Sequence, residues 1–315
     1  MSNLHLAPVA LSIIIPNTNS CLIDEIVGRL IEQGEQLGCC EPFTFEVLVV
    51  GQGQPRCATT DVRVHFIATP PYFAGAKRNL GISRAQAALL LFLDDDCLPL
   101  PGLLAAHWRC HRQGQQVVGG AVTFGTDNYW QLADNVSAFH DLLPTTAAGY
   151  RPYLAAANLS VQRAAVVKAG LMRDTMKRAE DLEWTVRLRK IGYRLYFVSD
   201  ACVYHDPDRL TFAKVWQHWT DDAPETLRVR LCYADQLATP KLARYRTLFL
   251  WGAPVIALWA TWRTLCHRPT LWRYWYTAPL VYLTKIAWCW GAFRANTCTS
   301  GATIPCTREV GLWRK

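Results

Sequence analysis

Short apolar runs rich in β-branched residues alternate with stretches of helical spacing through the first two thirds of the chain, and that alternation restricts the fold more than any single motif. Leu11–Ile15, Phe45–Val50, Val62–Ala68 and Ala88–Leu93 are continuous enough to be strands buried on both faces. Between them, Leu22, Ile23, Ile26, Val27, Leu30, Ile31 and Leu37 recur at helical intervals, and residues 76–87 and Gly102–Arg112 read as further helices. Gln116–Phe124 and Tyr153–Val161 add strands, Asp181–Ile191 a helix, and Tyr193–Val198 and Ala201–Tyr204 two last strands. Strand–helix repetition of this kind buries its apolar faces as an α/β domain, with a mostly parallel sheet and helices on both sides. Ligands of such sheets sit beyond the carboxyl ends of the strands. That rule directs the search for chemistry.

Asp94-Asp95-Asp96 directly follows the apolar run Ala88–Leu93. Three adjacent carboxylates repel one another, and a divalent cation such as Mg²⁺ or Mn²⁺ bridging phosphates is the usual compensating charge. A solvated acidic turn before Pro99 is the plainer use of the same residues. Glu180-Asp181 opens a helix, where acids also serve as caps and complement the helix dipole. His205 ends a short strand in Val203-Tyr204-His205-Asp206, where an imidazole can complete a metal shell begun by carboxylates. Lys77 and Arg78, in Ala76-Lys77-Arg78-Asn79-Leu80-Gly81, lead into the helix before the triplet and could face a pyrophosphate.

In this order and spacing the pieces resemble glycosyltransferase family 2, from about residue 10 to 206. The resemblance is carried by Pro16-Asn17-Thr18-Asn19, Lys77-Arg78-Asn79-Leu80-Gly81, Phe92-Leu93-Asp94-Asp95-Asp96 with Pro99, Ala157-Asn158-Leu159-Ser160, Gly170-Leu171, Glu180-Asp181 with Arg187–Tyr193, and Val203-Tyr204-His205. It implies a GT-A fold and an inverting transfer from a nucleotide-sugar donor, with a UDP-sugar as first expectation. By that likeness Asp181 is the catalytic base with Glu180 beside it. Pro16, Asn19, Arg78, Asp94 and Asp95 contact the sugar donor, Asp96 and His205 hold Mn²⁺ or Mg²⁺, and Asn158 belongs to a stretch lining the acceptor side. The sequence departs from the family after the second strand, where Val50-Gly51-Gln52-Gly53-Gln54 has no acid for the nucleotide base, and at Thr18, where an aromatic is common. Both departures leave the nucleotide open. Gly51 and Gly53 are too few for a dinucleotide fingerprint. His107 and His111 have zinc-like spacing but no second ligand pair, and Trp216-Gln217-His218-Trp219 lacks the Arg of a processive synthase motif.

The net charge of +8 is unevenly placed: residues 240–315 hold eleven Lys/Arg against one acid, Glu309, and eight of the thirteen Trp. Basic and indole side chains together suit an anionic membrane surface; a nucleic-acid partner would not need the long apolar runs there. Leu248–Trp262 is short for a span, and Tyr274–Phe293 carries Lys285 and Pro279, so interfacial or re-entrant helices are expected over two crossings. Packing on the catalytic part, or a homodimer, is the other use of the same faces. The twelve Cys form no CxxC pair and read as reduced core thiols. The organisation expected is a GT-A domain over 1–210, connecting helices over 211–240 and a membrane-associating segment over 241–315. It would work at the cytoplasmic face of a membrane, rather than secreted, on a lipid-linked or polysaccharide acceptor. A polyprenyl-phosphate sugar synthase of the same fold and an inactive, sugar-nucleotide-binding scaffold are the alternatives.

Overall fold

The computed structural model, which describes residues 9–266 and 269–295, turns the four N-terminal apolar runs into strands. Along the chain come β1 (Leu11–Thr18), α1 (Ile23–Cys40), β2 (Phe45–Gln52), β3 (Val64–Ala68), α2 (Ala74–Arg84), β4 (Leu89–Leu93), β5 (Cys97–Pro99) and α3 (Leu103–Arg112). There follow β6 (Val117–Thr123), α4 (Tyr129–Phe139), β7 (Gly149–Tyr150), β8 (Asn158–Gln162), α5 (Arg163–Ala169), α6 (Glu180–Lys190) and β9 (Leu195–His205). The sheet runs β3-β2-β1-β4-β8-β6-β9-β5, with β7 also paired to β9.

Strands β3, β2, β1 and β4 are parallel; β8 then enters antiparallel between β4 and β6, so the sheet is mixed. Alternation along the central strands splits the core. Ile13, Ile15, Val47 and Leu91 face α1 and α3, while Ile14, Leu48, Phe92 and Leu159 face α2, α5 and α6. Pro16 is buried in β1 two residues after the last β1–β4 pair, Ile14 with Phe92, where its missing N–H removes no bond to β4.

The two strands expected over 193–204 are one, β9, with a register shift in its pairing to β6 between Gly120 and Ala121. Asn158 explains how that irregularity is held. Its Nδ2 donates to the Ala121 and Ala201 carbonyls at 3.1 and 2.8 Å, and a Cβ on Gly120 would lie 2.2 Å from that nitrogen. The Asn158 side chain therefore braces the sheet. His107 and His111 belong to the same buried network: His107 Nε2–H donates to Asn158 Oδ1 (2.8 Å), Ser160 Oγ–H donates to His107 Nδ1 (2.7 Å), and His111 Nε2 meets Ser160 Oγ (2.7 Å). Their helical spacing serves β8, and burial holds His107 neutral with its pKa pushed down to about 4.

Helices α7 (Phe212–Cys232), α8 (Arg246–Trp251), α9 (Ala253–Cys266) and α10 (Ala278–Arg294) follow, with 3₁₀ turns at Lys241–Arg244 and Pro269–Thr277. They pack on the α/β body. Leu265, Leu271, Tyr274, Leu280 and Val281 cover Leu132, Ala133 and Val136 of α4, and Ala223 and Leu227 of α7 meet Phe249, Cys289 and Ala292. Inside α7, Pro224 has no N–H to give the Thr220 carbonyl. Gly291 of α10 settles against that oxygen, where a Cβ would come within 2.2 Å. Trp251, Trp259, Trp262, Trp272 and Trp275 remain exposed, the first at 82%. No described helix is long and apolar enough to cross a membrane. The part of the Trp-rich segment over 296–315 lies outside the described residues.

Candidate active site

Strands β1, β2 and β4 end on the same side, and the loops there carry the acids. Arg78, on α2, is almost fully buried, yet it reaches two carboxylates from distant parts of the chain. Its Nη2 donates to Asp94 Oδ1 and its Nη1 to Glu180 Oε1, each at 2.5 Å. One guanidinium thus binds the triplet to the start of α6. The two acids lie 86 residues apart in sequence. Buried charges are tolerated when paired in this way. Burial pushes the Glu180 carboxyl up to about 7 despite the neighbouring Arg78, and burial with the nearby charges of Asp96, Asp95 and Asp181 raises Asp94. Asp94 and Asp96 still keep 32% and 30% of their side chains open to solvent.

Each remaining acid has its own holder. Asp95 Oδ2 accepts from the Thr18 backbone N–H (2.6 Å) and hydroxyl (2.7 Å), so the residue that departs from the family pattern anchors the middle of the triplet. Asp96 lies 3.4 Å from His205 Nε2 and 3.5 Å from Cys97 Sγ. Burial alone would raise the Asp96 carboxyl, but His205 and then Arg209 hold it well below the usual carboxylate range. His205 is oriented from behind: its Nδ1–H donates to Asn135 Oδ1 of α4 at 2.5 Å, and Phe139 packs edge-on against the ring. That bond turns the ring so that Nε2 faces Asp96.

Asp96, Cys97 and His205 offer ligand atoms within 4.8 Å of one another. Burial pushes the Cys97 thiol far up, so it stays protonated, while carboxylate and imidazole remain a donor pair suited to Mn²⁺. The residues fit a divalent cation.

Asp181 opens toward solvent one residue into α6. Its Oδ2 accepts the Ala156 N–H at 3.0 Å, and its charge is felt at both Arg78 and Asp94. Ala179, with φ of 58°, turns the chain into the helix there. Behind it Glu183, fully buried, accepts from Arg187 and the Tyr233 hydroxyl and forms an ion pair with Arg173, which fastens α6 to its surroundings. On the other flank Lys77, also buried, donates to the Asn17 carbonyl at 2.8 Å, and burial lowers its pKa. Asn17 Nδ2 ties the β1 and β2 ends through the Gln52 and Gly53 carbonyls. Gly51, at φ of 141°, is required because a Cβ would lie 2.0 Å from the Asn17 oxygen. Asn19, at φ of 66°, sits against Gly53 on the same rim. Asn135 is the site residue that sequence reasoning overlooked; Thr18 stood inside a recognised motif but was read only as a departure from it, and Lys77, expected toward a pyrophosphate, instead binds the Asn17 carbonyl.

The description "Glycosyl transferase family 2" fits residues 12–146, a stretch that contains β1, Arg78 and the whole triplet. That stretch, less than half of the chain, is similar to glycosyltransferase family 2. Glycosyltransferase AglE of Haloferax volcanii is 30% identical over 172 residues, which are 51% of this chain and 56% of the relative. The chain therefore spans little more than half the length of the curated relative it matches. Among solved structures, the mannosyltransferase PcManGT of Pyrobaculum calidifontis, in complex with GDP-Man and Mn²⁺, superposes with a TM-score of 0.51 at 15% identity over 91% of this chain and 90% of that one. GalNAc-T7 with UDP, GalNAc and Mn²⁺ superposes with a TM-score of 0.51 at 12% identity over 73% of this chain and 50% of that one. At these identities the likeness is one of fold, and the chain shares their GT-A fold. The site residues come from its own geometry.

Proposed function

We propose that the chain is a metal-dependent, inverting glycosyltransferase that moves a sugar from a nucleotide-sugar to a hydroxyl of a lipid-linked or polysaccharide acceptor. The observation that carries this reading is the Arg78 bridge, which joins Asp94 of the triplet to Glu180 beside Asp181. Asp94, Asp95 and Arg78 would contact the sugar donor, with Pro16 and Asn19 at the rim, and Asp96 and His205 would hold Mn²⁺ or Mg²⁺. A divalent cation bound there supplies positive charge for a departing diphosphate. Asp181 takes the proton of the acceptor hydroxyl as its oxygen bonds to the anomeric carbon and the bond to the diphosphate breaks. A single base on the acceptor side, with no carboxylate nucleophile, inverts the configuration. The neighbours' UDP and GDP-Man keep both nucleotides in view. Calorimetry with Mn²⁺ and UDP- or GDP-sugars tests the reading: Asp96→Ala should lose metal-dependent binding, and unchanged affinity overturns the assignment.

The same protein would rest on the cytoplasmic face of a membrane. Supporting this, an apolar groove of about 480 Å³ between α9 and the 3₁₀ turn is lined by Leu258, Trp262, Leu265, Trp272 and Trp275. Arg263 lies over the Trp259 ring at its edge. Indoles edged by arginine suit the headgroup layer, and the basic excess favours anionic lipid. Co-flotation with anionic vesicles, weakened by Trp262→Ala with Trp275→Ala, is the expected result. Indifference of both proteins to vesicles removes the membrane from the reading.

A further inference from the structure

Cys97 follows the aspartate triplet directly and opens β5, an edge strand of the sheet. Strand β5 runs antiparallel to β9, with Cys97 opposite His205, Leu98 opposite Tyr204 and Pro99 opposite Val203. Directly opposed residues of an antiparallel pair project from the same face of the sheet, with Cβ atoms about 5 Å apart. The register of two strands therefore brings a sulfur and an imidazole together. Cys97 is fully buried and shares a core cluster with Leu98, Val122 and Val203, as a small apolar side chain would. Its sulfur nevertheless turns toward charge. Sγ–H donates to Asp96 Oδ1 at 3.5 Å, and the other carboxylate oxygen, Oδ2, lies 3.4 Å from His205 Nε2.

The spacing suits one small cation. A tetrahedral dication bonded to sulfur at about 2.3 Å and to nitrogen and oxygen at about 2.0–2.1 Å holds its ligand atoms about 3.3–3.6 Å apart. One atom each from Asp96, Cys97 and His205 lies within 4.8 Å of the other two, and the separations of 3.4 and 3.5 Å to the Asp96 oxygens already have that length. The three residues are also fixed from outside the site. Asn135 and Phe139 hold the imidazole, the Cys97 N–H donates to the Asp94 carbonyl at 3.2 Å, and the Asp206 N–H donates to the Asp96 carbonyl at 2.8 Å. Asp96 keeps 30% of its side chain open to solvent, so the fourth side of a tetrahedron faces outward.

We propose that Cys97 is a third protein ligand of the cation site and lets it take a thiophilic dication such as Zn²⁺ through sulfur. The inference rests on the transferase reading for the use of the site and adds the class of cation that this chain selects. Mn²⁺ and Mg²⁺ are hard cations that favour oxygen, and beside them Cys97 stands aside as a thiol. Toward Zn²⁺ it serves as a thiolate: the Sγ–Zn bond forms, the S–H bond breaks, and the proton leaves to solvent past the open side of Asp96. One carboxylate and one thiolate then balance the double charge, with a neutral imidazole as third ligand. Three protein ligands and one open position are the arrangement of catalytic rather than structural zinc.

Carboxylate and imidazole alone already bind Zn²⁺ more tightly than Mn²⁺, so the mark of Cys97 is a sulfur bond and not the order of affinities. Co²⁺ is the probe, because it accepts the same ligands and reports a sulfur bond as a charge-transfer band in the near ultraviolet. The full chain, reduced and loaded with Mn²⁺, is titrated with Co²⁺ while the band and the paramagnetic resonance of released Mn²⁺ are followed. Both should rise together and saturate at the same point. Cys97→Ser should lose the band and weaken Zn²⁺ at least about tenfold more than Mn²⁺, since even an outer partner of a ligand has an effect of that size. Cys39→Ser with Cys40→Ser, exposed thiols at the end of α1, should change neither reading. A band without Mn²⁺ release places the sulfur elsewhere, and Mn²⁺ release without a band leaves Cys97 a core thiol; either overturns the proposal, as does a full band in Cys97→Ser. The titration of the unaltered protein decides even where the variant does not fold. Mn²⁺-dependent binding of UDP- or GDP-sugars, measured by calorimetry, reports separately on the transferase reading.

Discussion

The two walls of the cleft are built on opposite rules. On the α/β side each acid has a fixed holder: Arg78 for Asp94 and Glu180, Thr18 for Asp95, and His205 backed by Asn135 for Asp96. On the helical side Lys285 leans on Ser137 and the Trp219 ring, Arg178 meets only His218, and indoles stand bare to solvent. The first wall has its charge geometry set before any ligand arrives, which is the condition for electrostatic catalysis.

Substitutions can break that contrast. The largest effect is expected at Asp181→Asn, which should lower turnover by about 10²–10⁴ while sugar-donor affinity stays near normal, the range of a lost general base. Near-normal transfer by this variant would move the base elsewhere. Next comes Arg78→Gln, which leaves the buried Glu180 carboxylate without its cation. A loss of about 3 kcal/mol in denaturant unfolding is expected, and an unchanged midpoint would mean that the bridge is not holding the wall. Asn135→Ala touches no substrate, yet it frees the His205 ring and should weaken apparent Mn²⁺ affinity by about tenfold. Titrating activity against Mn²⁺ reads this out, and an unmoved curve would remove Asn135 from the positioning role.

The smallest effect belongs to acid. His107 is buried neutral, so the unfolded chain, with its ordinary pKa near 6.5, takes up a proton first as pH falls. Its contribution is complete above that value, is lost between about pH 6.5 and 4, and levels off below. Unfolding at pH 7 and pH 5 should differ by about 1–2 kcal/mol from this group, and His107→Gln should flatten the dependence. An equal slope in that variant would assign the acid sensitivity to other groups.

What the sequence disclosed follows from the range of the interactions involved. Strands β1, β2 and β4 are local apolar runs, and Asp94–Asp96, Glu180-Asp181, Arg78 and His205 sit in recognisable order. The Arg78 bridge spans 102 residues to Glu180, so motif order could suggest that meeting but not its form. Asn135 had no signal, because α4 is an ordinary amphipathic stretch whose link to His205 exists only after the sheet forms. Thr18 read as a missing aromatic when it is in fact the holder of Asp95. Asn158 matched a family stretch, but its period-two neighbour relations turn it toward the β6–β9 irregularity. In the C-terminal helices, composition marked the bare indoles, while the side that packs on α4 was hidden in runs apolar all round.

Gly291 gives the helical wall a mechanical dimension. It sits against an oxygen that Pro224 leaves without its helical bond, so α10 keys into α7 at one point, six residues from Lys285. Any side chain at that position would act as a wedge and lift the lysine's end of the helix away from the cleft. A remote alanine would thereby shift Lys285 against Ser137 and the Trp219 ring without altering any of those groups.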